Sequence, residues 1–163
     1  MEDAKSDGIN FANELFFQLV GEKTRNVKLG YGSFITIDFG KETTVEVRTN
    51  KGLSRSVRGE WHLWIMMSAW RLSQNKELLV GSGDGRDSIN QILSLLEDKK
   101  LISGRVINNS FDCLFEFEEN ISLNLFSYHL ADSRQWMLFV PEKKTFTAGP
   151  GAEWSYIDSA RTE

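Results

Sequence analysis

The chain repeats its own hydrophobic rhythm. Residues 11–34 (FANELFFQLVGEKTRNVKLGYGSF) lie over residues 88–111 (SINQILSLLEDKKLISGRVINNSF) without a gap. Asn13 then falls on Asn90, Leu15 on Ile92, Phe16 on Leu93, Leu19 on Leu96, Lys23 on Lys100 and Ser33-Phe34 on Ser110-Phe111. One extra residue in the second segment brings Ile35, Ile37 and Phe39 onto Cys113, Phe115 and Phe117, and carries Val45 and Val47 onto Leu123 and Leu125. A shorter loop then sets Trp61-His62-Leu63-Trp64-Ile65 against Trp136-Met137-Leu138-Phe139-Val140. Any two helix-then-strand segments share some of this rhythm, but the ordered run of matches favours internal duplication. The expected architecture is α+β: two tandem units, each one helix followed by four antiparallel strands, packed as one domain about an approximate two-fold axis.

Local patterns set the expected boundaries. Residues 1–10 are polar and read as a flexible N-terminus. In the first unit, 11–72, apolar residues at Phe11, Ala12, Leu15, Phe16 and Leu19 mark one helical face, with Gly21 as its C-cap. From Asn26 the period becomes two. Val27 and Leu29 are followed by a turn at 30–33, then Ile35, Ile37 and Phe39, a second turn at 40–42, and Thr43, Val45 and Val47. Residues 48–60 read as a long polar loop or an irregular edge, and Trp61 to Leu72 as a fourth strand, apolar on both faces and therefore central. Residues 73–87, with GSGDGRD, read as a glycine-rich connector. In the second unit, 88–141, Ser88 with Gln91 fits a capping box that opens a helix to about Lys100, with Ile89, Ile92, Leu93 and Leu96 as its stripe. Strands are expected at about 102–107, 111–118, 121–128 and 135–141. Residues 142–163 form a C-terminal extension in which Trp154 to Ile157 adds a short strand or packs as a flap.

Composition narrows the function classes. The net charge of −4 carries no general basic footprint for nucleic acid. One cysteine, Cys113, excludes an intrachain disulfide and a multi-cysteine metal site. The first ten residues lack a secretory pattern, and no apolar run reaches the length of a bilayer span. A soluble, cytoplasmic chain is expected. Eleven Phe and five Trp predict an interior built on large rings.

Motifs for chemistry are sparse. The run Gly81-Ser82-Gly83-Asp84-Gly85 precedes a helix, yet no Lys-Ser/Thr follows and the glycines miss the dinucleotide spacing, so it reads as a linker. His62 and His129 stand apart in strand patterns without a second ligand, Cys113 occupies a core position, and Glu116, Glu118 and Glu119 suit a solvated strand face and turn. No catalytic residue, cofactor or metal is expected on this reading. Two surface features stand out. Arg48, Lys51, Arg55 and Arg58 place four cations with no acid between residues 47 and 59, a docking surface for an acidic protein or for phosphates, or else a solvated loop. Trp64, Met66 and Trp70 share one face of the expected fourth strand, where a groove or subunit contact could lie.

The segments LGYGSFITIDFG and RGEWHLWI resemble small bacterial proteins of the toxin-immunity and defence-associated kind. The resemblance covers residues 26–72, carries no catalytic motif and implies partner binding. The expected function is therefore non-enzymatic: a protein-binding factor, such as a toxin-neutralising immunity or accessory protein, with Arg48, Lys51, Arg55, Arg58, Trp64 and Trp70 as its contact residues. Nucleic acid and membranes are not expected partners, and homo-oligomers are compatible with the aromatic face. Two alternatives stand beside it. One is a carrier of small or lipid-like ligands with an aromatic-lined cavity. The other is an enzyme with a dispersed site at His62, Glu60 and the Arg55/Arg58 loop.

Overall fold

A computed structural model describes residues 2–128 and 132–159, with side chains from Asp7 onward. Alternating patterns in the sequence become α1 (Glu2–Leu19), β1 (Thr24–Leu29), β2 (Ile35–Thr49), β3 (Gly52–Ile65), β4 (Ser68–Gln74), β5 (Glu77–Gly81), α2 (Arg86–Leu93), β6 (Leu101–Val106), β7 (Cys113–Phe117), β8 (Ile121–Ser127), β9 (Trp136–Phe139), β10 (Lys144–Ala148) and β11 (Trp154–Asp158). The strands form two sheets, ordered β1-β2-β3-β9-β10-β11 and β5-β4-β8-β7-β6, and every pairing is antiparallel. The α+β class is as expected.

The division of strands is not. Each sheet joins a three-strand meander from one half of the chain (β1-β2-β3 or β6-β7-β8) to strands from the other half (β9 to β11, or β4 and β5). Self-contained units of one helix and four strands are therefore not seen. The chain changes sheet at Met66-Met67, so the stretch from Trp61 to Leu72 is two strands in two sheets rather than one central strand. Its double-sided apolar pattern came from two half-buried strands placed end to end. Trp61–Ile65 and Trp136–Phe139, matched in the sequence as equivalents, are partners within one sheet: Leu63 pairs with Leu138 and Ile65 with Trp136.

Other boundaries also move. The polar N-terminus is helical, since α1 begins at Glu2. The expected connector contains β5. Helix α2 opens at Gly85, with no side-chain cap, instead of at Ser88, and gives way to a 3₁₀ turn at Ser94–Leu96.

One core joins both sheets and α1. The Phe16 ring lies 4.9 Å from Phe115 of one sheet and 5.3 Å from Trp136 of the other. Ala12, Leu15 and Leu19 bury the rest of the α1 stripe. Buried indoles need a partner for their N–H. Trp136 donates to the Phe111 carbonyl at 3.0 Å, and Trp70 to the Ser33 carbonyl at 2.7 Å. Where the sheets meet edge to edge, Lys23 bridges Lys100, flanked by Gly21 N to Leu101 O at 2.8 Å and Thr24 N to Lys99 O at 2.9 Å.

Candidate functional site

The β2–β3 hairpin outruns its sheet. β1 pairs with β2 only along Ile35–Phe39, and β9 pairs with β3 only along His62–Ile65. Beyond those rows the two strands pair with each other as far as Thr49 and Gly52, and no third strand flanks them among the described residues. At roughly 3.4 Å per residue, the free ribbon extends about 25 Å. Of the two sequence readings of residues 48–60, the loop is thus corrected, as is the turn at 40–42. Residues 48–60 are the tip and returning strand of the ribbon. Gly40–Glu42 is a bulge within β2.

That bulge decides which side chains face where. The register runs Phe39↔Trp61 and then Glu42↔Gly59, so β2 carries one extra residue. An extra residue reverses the alternation of the strand that holds it. Ile35, Ile37 and Phe39 point into the core, whereas Val45 and Val47 beyond the bulge lie on the opposite face. Gly40, with φ of +79°, makes the irregular step without steric cost. Gly59 makes room across from it: a Cβ there would lie 2.7 Å from the Phe39 carbonyl oxygen.

Directly opposed residues in an antiparallel pair share a face. One face of the ribbon therefore carries the rows Arg48–Leu53, Glu46–Arg55 and Thr44–Val57, and the other Val47–Ser54, Val45–Ser56 and Thr43–Arg58. On the first, Leu53 is 72% and Val57 55% exposed. Lys51 sits in the tip turn. The structure therefore brings Arg48 and Arg55 to one face, with Lys51 at the adjoining tip, and leaves Arg58 on the other face, in line with Glu60 and His62. It also places Glu46 across from Arg55, so the cation run is less pure in space than in sequence. Over residues 41–58 the balance remains five cations (Lys41, Arg48, Lys51, Arg55, Arg58) against two carboxylates (Glu42, Glu46), on a chain of net charge −4.

Trp64 and Trp70 do not share a face. Trp64 is half-buried on the outer side of the six-stranded sheet, two residues from His62. Trp70, in β4 of the other sheet, is 2% exposed and belongs to the core. The break at Met66-Met67 separates them.

At the root of the ribbon, Asp38 gathers three donors. It pairs with His62 Nδ1 at 2.5 Å through Oδ1, and accepts from Gly59 N at 3.0 Å and Asn26 Nδ2 at 3.1 Å through Oδ2. Asp38 is 3% exposed. Burial opposes its charge, but the hydrogen bonds from His62, Asn26 and Gly59, with the imidazole's charge, outweigh it and hold the carboxyl below its ordinary 3.8. Asp38 thereby ties β1, β2 and β3 together where the ribbon leaves the sheet. Asp38 went unnoticed in the sequence, because only the strand register brings it opposite His62. A carboxylate on Nδ1 fixes the imidazole ring, and the Phe139 ring lies 5.6 Å from it.

The remaining candidates sit apart. Cys113 is fully buried, its thiol pushed up by burial and by Asp112. Ser103 donates to Glu116, and Lys99 approaches Glu119, on the open side of the other sheet. His129 lies outside the described residues. Among the described residues no group of three or more His, Cys, Asp or Glu converges as metal ligands, and no helix is long and apolar enough to cross a membrane. Two concavities of mixed polar and apolar lining lie along Asn10, Asn13, Glu14, Phe17 and Gln18 and around Asn75, Ile102, Glu116, Phe117, Asn120 and Ile121. Neither is the aromatic-lined cavity that a carrier requires.

No protein-family model matches this chain, and neither a curated protein nor a solved structure matches it.

Proposed function

We propose that this protein binds an acidic protein partner through the free β2–β3 ribbon, without catalysing a reaction. One observation carries the reading: the ribbon is not needed to close its sheet. The corresponding meander in the other sheet joins Phe117 to Ile121 through Glu118–Asn120 alone, and Phe117 and Ile121 pair directly, just as Phe39 and Trp61 do. The long ribbon is an elaboration beyond what folding requires, and it presents Arg48, Lys51, Arg55, Leu53 and Val57 together. Cations steer an acidic partner, and exposed aliphatics give it apolar area to bury. Occluding a partner in this way is the mode of action of a toxin-neutralising or accessory factor, and that is the role assigned here.

The test is a capture experiment on host extract with the wild-type protein and the Arg48→Glu, Arg55→Glu double variant, at low and moderate salt. An acidic protein should be retained by wild type, less so as salt rises, and lost with the variant. Equal retention by both proteins would remove the ribbon from the binding role.

We also propose that the two halves arose by duplication with exchange of their later strands. The order β1-β2-β3-β9-β10, read against β6-β7-β8-β4-β5, supports this position by position. If the halves correspond there, the three-residue turn of the β7–β8 pair should close the β2–β3 pair when grafted in place of the ribbon.

A further inference from the structure

We infer that the partner is recognised by strand addition: an extended segment of the pattern apolar-x-acidic-x-apolar pairs with the open edge of β3 between Leu53 and Gly59. This deepens the ribbon-binding reading and rests on it. The open edge is defined by where β9 stops. β9 covers β3 along His62–Ile65, and the chain then turns away at Val140–Lys143, where Lys143 N donates to the Val140 carbonyl at 3.2 Å. The track beside residues 53–59 is left unoccupied among the described residues. Unpaired N–H and C=O groups along such an edge form a template for another strand.

The phase of those groups follows from the register. On the ribbon, Thr43 Oγ1 of β2 donates to the Arg58 carbonyl at 3.4 Å and Thr49 Oγ1 to the Gly52 carbonyl at 3.0 Å, so even-numbered residues of this stretch of β3 turn their backbone polar groups toward β2 and odd-numbered ones toward the open edge. Along the ribbon the open groups belong to Leu53, Arg55 and Val57, with Ser54 and Ser56 between them. Small serine side chains leave the edge accessible, and the ribbon contains no proline to block it.

Charge selects β3 over β2. The β3 stretch Gly52–Gly59 holds Arg55 and Arg58 and no acid, whereas the β2 stretch Glu42–Thr49 holds Glu42, Glu46 and one cation, Arg48. An incoming acidic strand meets attraction on the first edge and like charge on the second. Leu53, Arg55 and Val57 alternate on one face of β3. The matching face of the incoming strand therefore presents an apolar, an acidic and an apolar residue in turn, with a second acid on the other face able to meet Arg58.

The test uses the intact protein and a synthetic peptide built on Val-Ser-Glu-Ser-Val, followed by titration and amide hydrogen exchange. The peptide should bind, protect the amides of Arg55 and Val57, and lose about tenfold in affinity with Arg55→Glu, a drop of about 1.4 kcal/mol. A peptide of the same sequence, N-methylated on alternate backbone nitrogens, should bind at least as weakly. Equal binding of the methylated peptide would overturn strand addition but leave charge-based docking on the ribbon standing. Protection along 42–49 instead of Arg55 and Val57 would overturn the choice of edge. Failure of the unmodified peptide to bind would overturn the proposed partner pattern, while the capture experiment would still judge the ribbon on its own. Tighter binding of duplex DNA than of the peptide would make the ribbon a nucleic-acid element and overturn the proposal.

Discussion

The β2–β3 and β7–β8 connections occupy corresponding places in their two sheets and are built in opposite ways. In the five-stranded sheet, Phe117 pairs with Ile121 and the chain reverses through Glu118, Glu119 and Asn120, with Glu119 and Asn120 at positive φ. In the six-stranded sheet, Phe39 pairs with Trp61, yet a bulge at Gly40–Glu42 and a long ribbon stand between them. Both pairs bury the same kind of inward row: Cys113, Phe115 and Phe117 in one, Ile35, Ile37 and Phe39 in the other. The core below the two connections is thus satisfied equally well by a tight turn and by a ribbon. What differs is the surface. The turn exposes three polar residues, whereas the ribbon exposes cations and aliphatics on two open edges.

If the shared core rather than the connection carries stability, the largest loss should come from its centre. Phe16 touches rings of both sheets, and Phe16→Ala should cost about 3–5 kcal/mol, read as a shift of the urea midpoint. The exposed ribbon change Val57→Ser should stay within about 0.5 kcal/mol. Similar losses from the two would break the comparison. Next comes the ribbon's root. A Cβ at Gly59 would meet the Phe39 carbonyl at 2.7 Å and the Asp38 Cβ at 2.8 Å. Gly59→Ala should therefore displace the bulge and cost about 1–3 kcal/mol in the same measurement. An unchanged midpoint would show that the root is pliable and not fixed.

Part of this contrast is legible in the sequence. The α1 stripe, the inward rows of β2 and β7 and the cation cluster follow from periodicity and charge, because burial and exposure leave a period in the chain. The ribbon hides for specific reasons. Gly40-Lys41-Glu42 has the composition of a turn, and nothing local says that it is a bulge. Once the bulge reverses the alternation, Thr43, Val45 and Val47 look like a core strand though they face away from the core. The change of sheet at Met66-Met67 carries neither glycine nor proline, so two half-buried strands mimic one central strand. Asp38 and His62 stand 24 positions apart, and only the register makes them neighbours. The expected Trp64/Trp70 face failed for the same reason as the expected fourth strand.

The root also carries a pH signature. Asp38 titrates below its ordinary 3.8 in the fold, so its contribution is present above that value and is lost as pH falls through the folded-state value. Asp38→Asn should cost about 1–3 kcal/mol near neutral pH, since His62, Asn26 and Gly59 lose a charged acceptor. The gap between wild type and variant should close as acid titrates the wild-type carboxylate. Unfolding curves for both proteins, followed down through the carboxylate range, check this. A gap that stays constant in acid would mean that Asp38 contributes through packing and not through its charge.

The smallest expected effect is the most decisive for the comparison. Replacing residues 40–60 with the Glu-Glu-Asn turn of the β7–β8 pair joins Phe39 to Trp61 as Phe117 is joined to Ile121. The graft removes one hydrogen bond to Asp38, from Gly59, worth about 1 kcal/mol. It also shortens a long closure, which works in the opposite direction at a few tenths of a kcal/mol. No core side chain is lost, since the ribbon residues between Lys41 and Arg58 are exposed or only half-buried. Net stability should therefore change by about 1 kcal/mol or less, with the same cooperative unfolding transition and the same near-ultraviolet signature of the buried Trp70 and Trp136. The binding retained by wild type should disappear. A grafted chain that fails to fold would show that the ribbon is structural. A grafted chain that folds and still captures the partner would move the site off the ribbon, to the His62/Trp64/Phe139 face of the same sheet.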